Sequence, residues 1–303
     1  MHIVMIISFV NYSTSLLGCN GYGVLGLDIK HIHKMHLVFF CRILRYPRPV
    51  DNSEYDALVT NIWKNVLTCN FQQLSPRLMS GRIIYRKSIT CEAHRECISH
   101  GSTTPLDKCV ADLAEICKSK GIRAFKTVRS TMESAQILLK EGVIDPNRLK
   151  ILHLIRDPRG HINSKIKVSK FPNADALRLF AQKVCARFKK DLAIQRELRL
   201  QYPNVFLEIH YEDLAERPIV VANKVYQFVN NSLAPMEVVK WLQTSTNSSN
   251  LTSEGAFLTV RKNSTQTASA WRLEMSRGAI MAVDEACADF YQFSGYFKPF
   301  NGF

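Results

Sequence analysis

The chain has 303 residues, 46% of them hydrophobic and 22% charged, a balance that supports one large core or two small ones. No stretch is of low complexity and no internal repeat is present, which sets aside disordered and repeat architectures. The formal net charge is +14, and residues 148–200 alone hold 14 Lys/Arg against four Asp/Glu. Such a field favours an anionic partner without choosing between a phosphate cofactor, nucleic acid, an acidic glycan and a membrane surface. It is equally the signature of a solvated face on an amphipathic helix.

Nine cysteines, at 19, 41, 69, 91, 97, 109, 117, 185 and 287, are many for a cytosolic protein. None stands in a CxxC pair or a Cys/His spacing that suggests zinc, so they read as lumenal or extracellular, with at least one unpaired. Sequons for N-glycosylation at Asn11, Asn230, Asn247, Asn250 and Asn263 point the same way. The apolar runs "MHIVMIISFV" and "HLVFFCRIL" fall short of the 18 or more residues a membrane span needs. The first also lacks the basic region of a signal peptide, so no anchor is visible.

In chain order, residues 1–50 read as an irregular N-terminal segment, aberrant or truncated, with a Gly-rich "GCNGYGVLG" and a His-rich "HIHKMH". His31, His33 and His36 have no acidic or Cys partner nearby, and no metal is expected there. Residues 51–303 form the folded domain. Helical spacing after a capping Ser53 predicts a helix over 53–70. The stretch 80–104 is loop-like, and a short helix follows over 105–118. From Gly121 a strand "IRAFKTV", a helix over 131–141 and a strand "LKILHLI" (149–155) alternate. Helices are expected over 158–169 and 174–201, then a strand "VFLEIH" (205–210) and a turn "YEDLAERP". Helices near 217–230, 235–244 and 278–292 complete the chain. Strands alternating with helices predict an α/β fold with a parallel sheet. Ligands bind such sheets at the carboxyl ends of the strands, where Arg156 and Tyr211 fall.

The corner "LHLIRDPRGHINSK" is the most informative stretch. Asp157 suits the helix N-cap and Pro158 the first helical position. A helix N-terminus offers unpaired N–H groups and a positive dipole end to an anion. Arg156 is always charged and grips phosphate bidentately. Ser164 lies six residues past Pro158, about 9 Å along the axis, so a folded-back Arg156 and the Ser164 hydroxyl can share one ligand. The bland alternative is an ordinary Asp-Pro cap followed by idle charges.

An Arg and a Ser eight residues apart after an apolar strand, then "YEDLAERP", then "TASAWR" and a late "GY" (295–296), resemble the sulfotransferase family. More narrowly the chain is similar to the Golgi carbohydrate 6-O-sulfotransferases that modify galactose, GalNAc or GlcNAc, over about residues 120–297. The resemblance implies a P-loop NTPase-like parallel sheet flanked by helices and 3′-phosphoadenosine 5′-phosphosulfate (PAPS) as sulfuryl donor. It implies that Arg156 and Ser164 hold the donor's 3′-phosphate. Arg261 and Lys262, in "VRKNSTQTASAWR", either close over the nucleotide or are two exposed charges in a polar loop. Tyr211 and Glu212 are expected to be mainly structural, and Trp271 to be core. A disulfide between Cys185 and Cys287 is implied, and Cys91, Cys97, Cys109 and Cys117 can supply two more.

The resemblance further implies a glycan or proteoglycan acceptor, the Golgi lumen as location, and attachment to the Golgi membrane. No metal is required, because cationic side chains and helix N-termini can neutralise the transferring group. Nucleic acid is not expected, because residues 148–200 offer only Phe171, Phe180 and Phe188 as interleaved aromatics. Departure from the family pattern lies upstream: an Arg-Ser/Thr-Gly-Ser-Ser/Thr-Phe loop for the 5′-phosphosulfate is not found. The alternative is therefore a sulfotransferase-like protein that binds nucleotide or glycan without transfer. The catalytic base is unassigned: His153 lies inside a strand and reads as structural, and His94, His100 and His161 are unplaced.

Overall fold

The structure is a computed structural model that describes residues 2–8, 35–39, 52–80, 92–99, 103–127, 130–167, 171–249 and 260–296. Five parallel strands form one sheet: β1 (His2–Ser8), β2 (Met35–Phe39), β3 (Ile122–Thr127), β4 (Leu149–Ile155) and β5 (Phe206–His210), in the order β2-β3-β1-β4-β5. Ahead of β3 come α1 (Asn52–Leu67), α2 (Pro76–Met79), α3 (Glu92–Cys97) and α4 (Leu106–Lys118). Crossing from β3 to β4 is α5 (Met132–Lys140); α6 (Pro158–Ile166) and α7 (Ala174–Gln201) link β4 to β5. Beyond β5 stand α8 (Tyr211–Glu216), α9 (Pro218–Asn230), α10 (Met236–Thr246), α11 (Ser264–Ser269), α12 (Trp271–Glu274), α13 (Arg277–Ala286) and α14 (Ala288–Ser294).

The α/β expectation holds, and the strand at 149–155 is found where the apolar run predicts it. β4 is buried on both faces, as a near-continuous apolar strand in a parallel sheet must be. Leu152 and Leu154 face α9 and α10, where they pack with Ala222, Val225, Val238 and Leu242. The alternate residues Leu149 and Ile151 face α5, α1 and the end of α7. Ile155 joins the cluster of α6, α7, α13 and α14. Helices thus cover both faces of the sheet.

Two elements stand inside the stretch read as irregular. β1 lies at the centre of the sheet, its Ile3–Ser8 in register with Leu149–Leu154 of β4 and its His2–Ile7 with Ile122–Thr127 of β3. β2 pairs β3 on the far side. A seven-residue apolar run is too short for a membrane, yet it is the length of a buried parallel strand. "YEDLAERP" forms the helical turn α8 rather than a turn alone, and the helix expected over 278–292 breaks at Cys287 into α13 and α14. The Gly-rich and His-rich segments lie outside the described residues, apart from the β2 backbone at His36.

Strand order sets the position of any site. From β1 the chain runs out to β2 on one side, and from β4 it runs out to β5 on the other. The carboxyl ends of β1 and β4 therefore flank the switch point of the sheet, the crevice where ligands bind in open α/β folds. Arg156 is the first residue past β4.

Among the described residues, three disulfides bind the helices. Cys185–Cys287 joins α7 to the α13–α14 break, as the resemblance implied. Cys97–Cys109 joins α3 to α4. The third, Cys69–Cys117, draws in a cysteine outside the set of four expected to pair among themselves. Cys91 lies outside the described residues. Among those residues, no helix is long and apolar enough to cross a membrane.

Candidate functional site

The two arginines of "RDPR" have different partners. Asp157 caps α6, its Oδ1 accepting the Arg159 N–H at 2.9 Å. The same carboxylate takes the Arg159 guanidinium, through Nε at 3.0 Å and Nη2 at 2.8 Å. Both side chains are enclosed, 5% and 9% exposed. The Arg159 guanidinium also lies 4.3 Å from the Trp271 ring centroid and 5.1 Å from that of Tyr291. Burial works against its charge, and the Asp157 carboxylate more than restores it, holding the Arg159 pKa above its ordinary value. The helix N-terminus that the sequence offered to an anion is thus filled by the protein's own carboxylate. Arg159 and Trp271 build the corner.

Arg156 is built differently. It forms no ion pair among the described residues, and its one hydrogen bond runs from Nη1 to Ser164 Oγ at 3.1 Å. Its guanidinium stacks 4.3 Å from the Tyr211 ring centroid. Its Nε is buried with no hydrogen-bond partner among the described residues. The Glu212 carboxylate attracts this guanidinium without reaching ion-pair distance, so a buried cation with an open donor is left for an incoming anion to stabilise. Ser164, half-buried, donates its hydroxyl back to the Gly160 carbonyl at 3.0 Å, which leaves its oxygen as a platform beside Arg156.

Gly160 makes this arrangement possible. A Cβ there would stand 3.1 Å from Arg156 Nε and 3.4 Å from Trp271 Cδ1. Any side chain there would make the folded-back arginine give by a few tenths of an ångström, and no sequence pattern singled this glycine out.

α8 supplies the other wall. Next to Tyr211, Glu212 accepts the Asp157 N–H at 3.2 Å with Oε1 and the Tyr296 hydroxyl at 2.7 Å with Oε2. Burial pushes the Glu212 carboxyl up, and the Tyr296 hydrogen bond counters part of that. At the far end of α8, the Ala215 carbonyl accepts from Ser264 Oγ at 2.5 Å. This docks the start of α11, and with it the preceding Arg261 and Lys262, on the same helix as Tyr211. Arg261 is half-buried and its backbone is pinned to α10: its N–H reaches Ser245 O at 2.8 Å and its carbonyl accepts from Ser248 at 2.9 Å. Lys262 is exposed.

Part of the concentration of positive charge is taken up in ion pairs. Arg178 pairs with Glu285, Lys189 with Asp289, Lys190 with Glu133, Lys167 with Glu274 and Arg187 with Asp191. Arg178, Lys189 and Lys190 tie α7 to neighbouring helices, whereas Arg156 forms no ion pair among the described residues.

The histidines lie away from this corner or behind it. His153, fully buried, has Nδ1 against Gln195 Oε1; burial, first of all, depresses its pKa to about 4. His94 is enclosed between the carbonyls of Cys109 and Met79, and His161 packs edge-on to Phe188. His100 lies outside the described residues. The structural reading of His153 and the core reading of Trp271 agree with their burial.

The protein is a doubly wound α/β fold with Arg156 and Ser164 at the switch point of its parallel sheet, the place where open α/β folds bind ligands. Residues 89–295 match the Sulfotransferase domain family, and the chain belongs to it. It is similar to carbohydrate sulfotransferase 3 of Mus musculus, 27% identical over 197 residues, which cover 60% of this chain and 40% of that protein. It is similar also to carbohydrate sulfotransferase 1 of Rattus norvegicus, 28% over 199 residues and 47% of that protein, and to carbohydrate sulfotransferase 6 of Homo sapiens, 27% over 204 residues and 50% of that protein. The match thus spans half or less of the length of these relatives. Among solved structures, the sulfotransferase domain from the Synechococcus PCC 7002 olefin synthase aligns over 88% of this chain and 96% of its own, at 16% identity and a TM-score of 0.44.

Proposed function

We propose that this chain is a carbohydrate sulfotransferase that moves a sulfuryl group from PAPS to a glycan hydroxyl, O6 of galactose, GalNAc or GlcNAc, in the Golgi lumen. The observation that carries the reading is Arg156: a buried guanidinium at the sheet's switch point, bonded to Ser164 and lacking a carboxylate among the described residues. A phosphate there satisfies the open Nε and neutralises the charge. PAPS supplies the sulfuryl group, and its 3′-phosphate is the handle that Arg156 and Ser164 grip. Arg261 and Lys262, carried by the segment docked on α8, close over the nucleotide. The three disulfides and the exposed sequon residues Asn230 and Asn247 suit a secretory, glycosylated protein.

The test is calorimetric binding of 3′-phosphoadenosine 5′-phosphate against AMP, with Arg156→Ala as control. A preference for the 3′-phosphorylated nucleotide that the variant abolishes supports the donor site; equal or no binding of both to folded protein removes it. Transfer of labelled sulfate from PAPS to a glycan then separates the enzyme from a second reading, a binder without turnover. That second reading draws on the missing Arg-Ser/Thr-Gly-Ser-Ser/Thr-Phe sequence.

A further inference from the structure

The late "GY" has no assigned role, yet the structure ties it to the corner. Gly295 ends α14 in the left-handed conformation, φ +77°, which a side chain would strain. That reversal brings the Tyr296 ring against His210 at the end of β5, with centroids 4.8 Å apart, and against Phe290 of α14 at 6.2 Å. The hydroxyl then donates to Glu212 Oε2 at 2.7 Å. The other oxygen of Glu212 accepts the Asp157 N–H at 3.2 Å.

That N–H belongs to the peptide joining Arg156 to Asp157. Fixing its plane fixes ψ of Arg156, and hence the direction in which the arginine leaves the backbone. The first two residues of α8 therefore hold Arg156 at both ends: Tyr211 stacks on the guanidinium, and Glu212 holds the following peptide. A free carboxylate this close to an anion site would swing toward a guanidinium and neutralise it. Glu212 and Arg156 attract each other, and donors on both oxygens, the Tyr296 hydroxyl and the Asp157 N–H, hold the carboxylate short of an ion pair.

We propose that Tyr296 is a positioning residue for the phosphate grip: its hydroxyl locks Glu212 onto the Arg156–Asp157 peptide and so keeps Arg156 aimed and out of a direct ion pair. The inference rests on the donor-site reading above. Tyr296 lies 140 residues beyond Arg156 and acts through Glu212.

Tyr296→Phe keeps the ring stacking and deletes the hydroxyl alone. It should weaken binding of 3′-phosphoadenosine 5′-phosphate roughly tenfold, the size of one hydrogen bond to a charged group, and leave AMP binding unchanged. The ratio of the two dissociation constants is the readout, because a merely structural role lowers the melting temperature without moving it. Glu212→Ala should lower the ratio at least as far, and the double variant no further, because Tyr296 works through Glu212. An unchanged ratio in Tyr296→Phe, or additive losses in the double variant, overturns the inference. If Tyr296→Phe does not fold, Glu212→Ala decides alone by the same ratio. Wild-type protein with no preference for the 3′-phosphate overturns the donor-site reading and this inference with it; a wild-type preference that both variants keep overturns this inference only.

Discussion

Arg159 chelates the Asp157 carboxylate, Nε at 3.0 Å and Nη2 at 2.8 Å, whereas Arg156, next to that same carboxylate in sequence, forms no ion pair with it. The corner thus contains one arginine that completes the fold and one that is held open. The division is testable by substituting each in turn. Arg159→Ala strands a buried carboxylate at 9% exposure and should cost about 3–5 kcal/mol of stability, read from urea unfolding. Arg156→Ala should cost far less stability and remove the preference for a 3′-phosphate. Arg156→Lys should recover only part of that preference, because an ammonium lacks the planar fork. Equal stability losses from the two alanine variants would contradict this division of roles.

Gly160→Ala is a sharper probe of the same geometry. Alanine favours the helix interior by about 0.5–1 kcal/mol, so the substitution should not unfold α6. The new methyl meets Arg156 Nε at 3.1 Å and must push the guanidinium off its place. Weaker binding of 3′-phosphoadenosine 5′-phosphate with an undiminished melting temperature is the expected result. Binding equal to wild type would mean that Arg156 need not fold back along α6.

Acid should destabilise the protein through His153. Burial holds this imidazole neutral in the folded state, with a pKa depressed to about 4, whereas an unfolded histidine titrates near 6.5. Between those values the unfolded chain takes up a proton that the folded one refuses, so stability falls as pH drops from about 6.5 to about 4. The full loss is about 3 kcal/mol. Urea midpoints at a series of pH values should show that slope, and a His153→Gln variant should flatten it. Identical slopes in the two proteins would exclude His153 as the source.

Cys185 and Cys287 close a loop 102 residues long. Replacing both by alanine removes that constraint from the unfolded chain and should cost about 4 kcal/mol, with the nucleotide preference retained in the folded fraction. Peptide mapping under non-reducing conditions should recover Cys69–Cys117 and Cys97–Cys109 as separate linked pairs. Recovery of Cys97 bonded to Cys117 would contradict the arrangement of α3 and α4.

Secreted protein should carry N-glycans at Asn230 and Asn247, both exposed at helix ends. Asn230→Gln and Asn247→Gln should each remove one enzymatically cleavable glycan on a denaturing gel. Asn263 differs: its Oδ1 accepts the Gln266 N–H at 2.9 Å and caps α11, so Asn263→Ala should also cost about 1 kcal/mol of stability. No mobility change in either glutamine variant would remove the secretory reading for these sites.

What the sequence determined by itself was local. The mostly apolar run of β4, the Asp-Pro cap and the spacing from Arg156 to Ser164 are written within 16 residues, and their geometry follows from strand pattern, helix rise and capping alone. The motif order from "LHLIRDPRGHINSK" to "GY" was sufficient to indicate the family. β1 was missed because an apolar heptamer has the same pattern whether it ends in a core or near a membrane; only its pairing with β3 and β4, more than 100 residues away, decides. The tertiary structure likewise decided which arginine was free. Arg156 and Arg159 are chemically identical and equally charged, and α8, α12 and α14 separate them by bringing Tyr211, Trp271 and Tyr291 against one or the other. It also decided that part of the basic charge on α7 is structural, because acids from α5 and the last helices meet Arg178, Lys189 and Lys190. Such pairings depend on which surfaces the packed core brings together, and no periodicity along one segment can encode them.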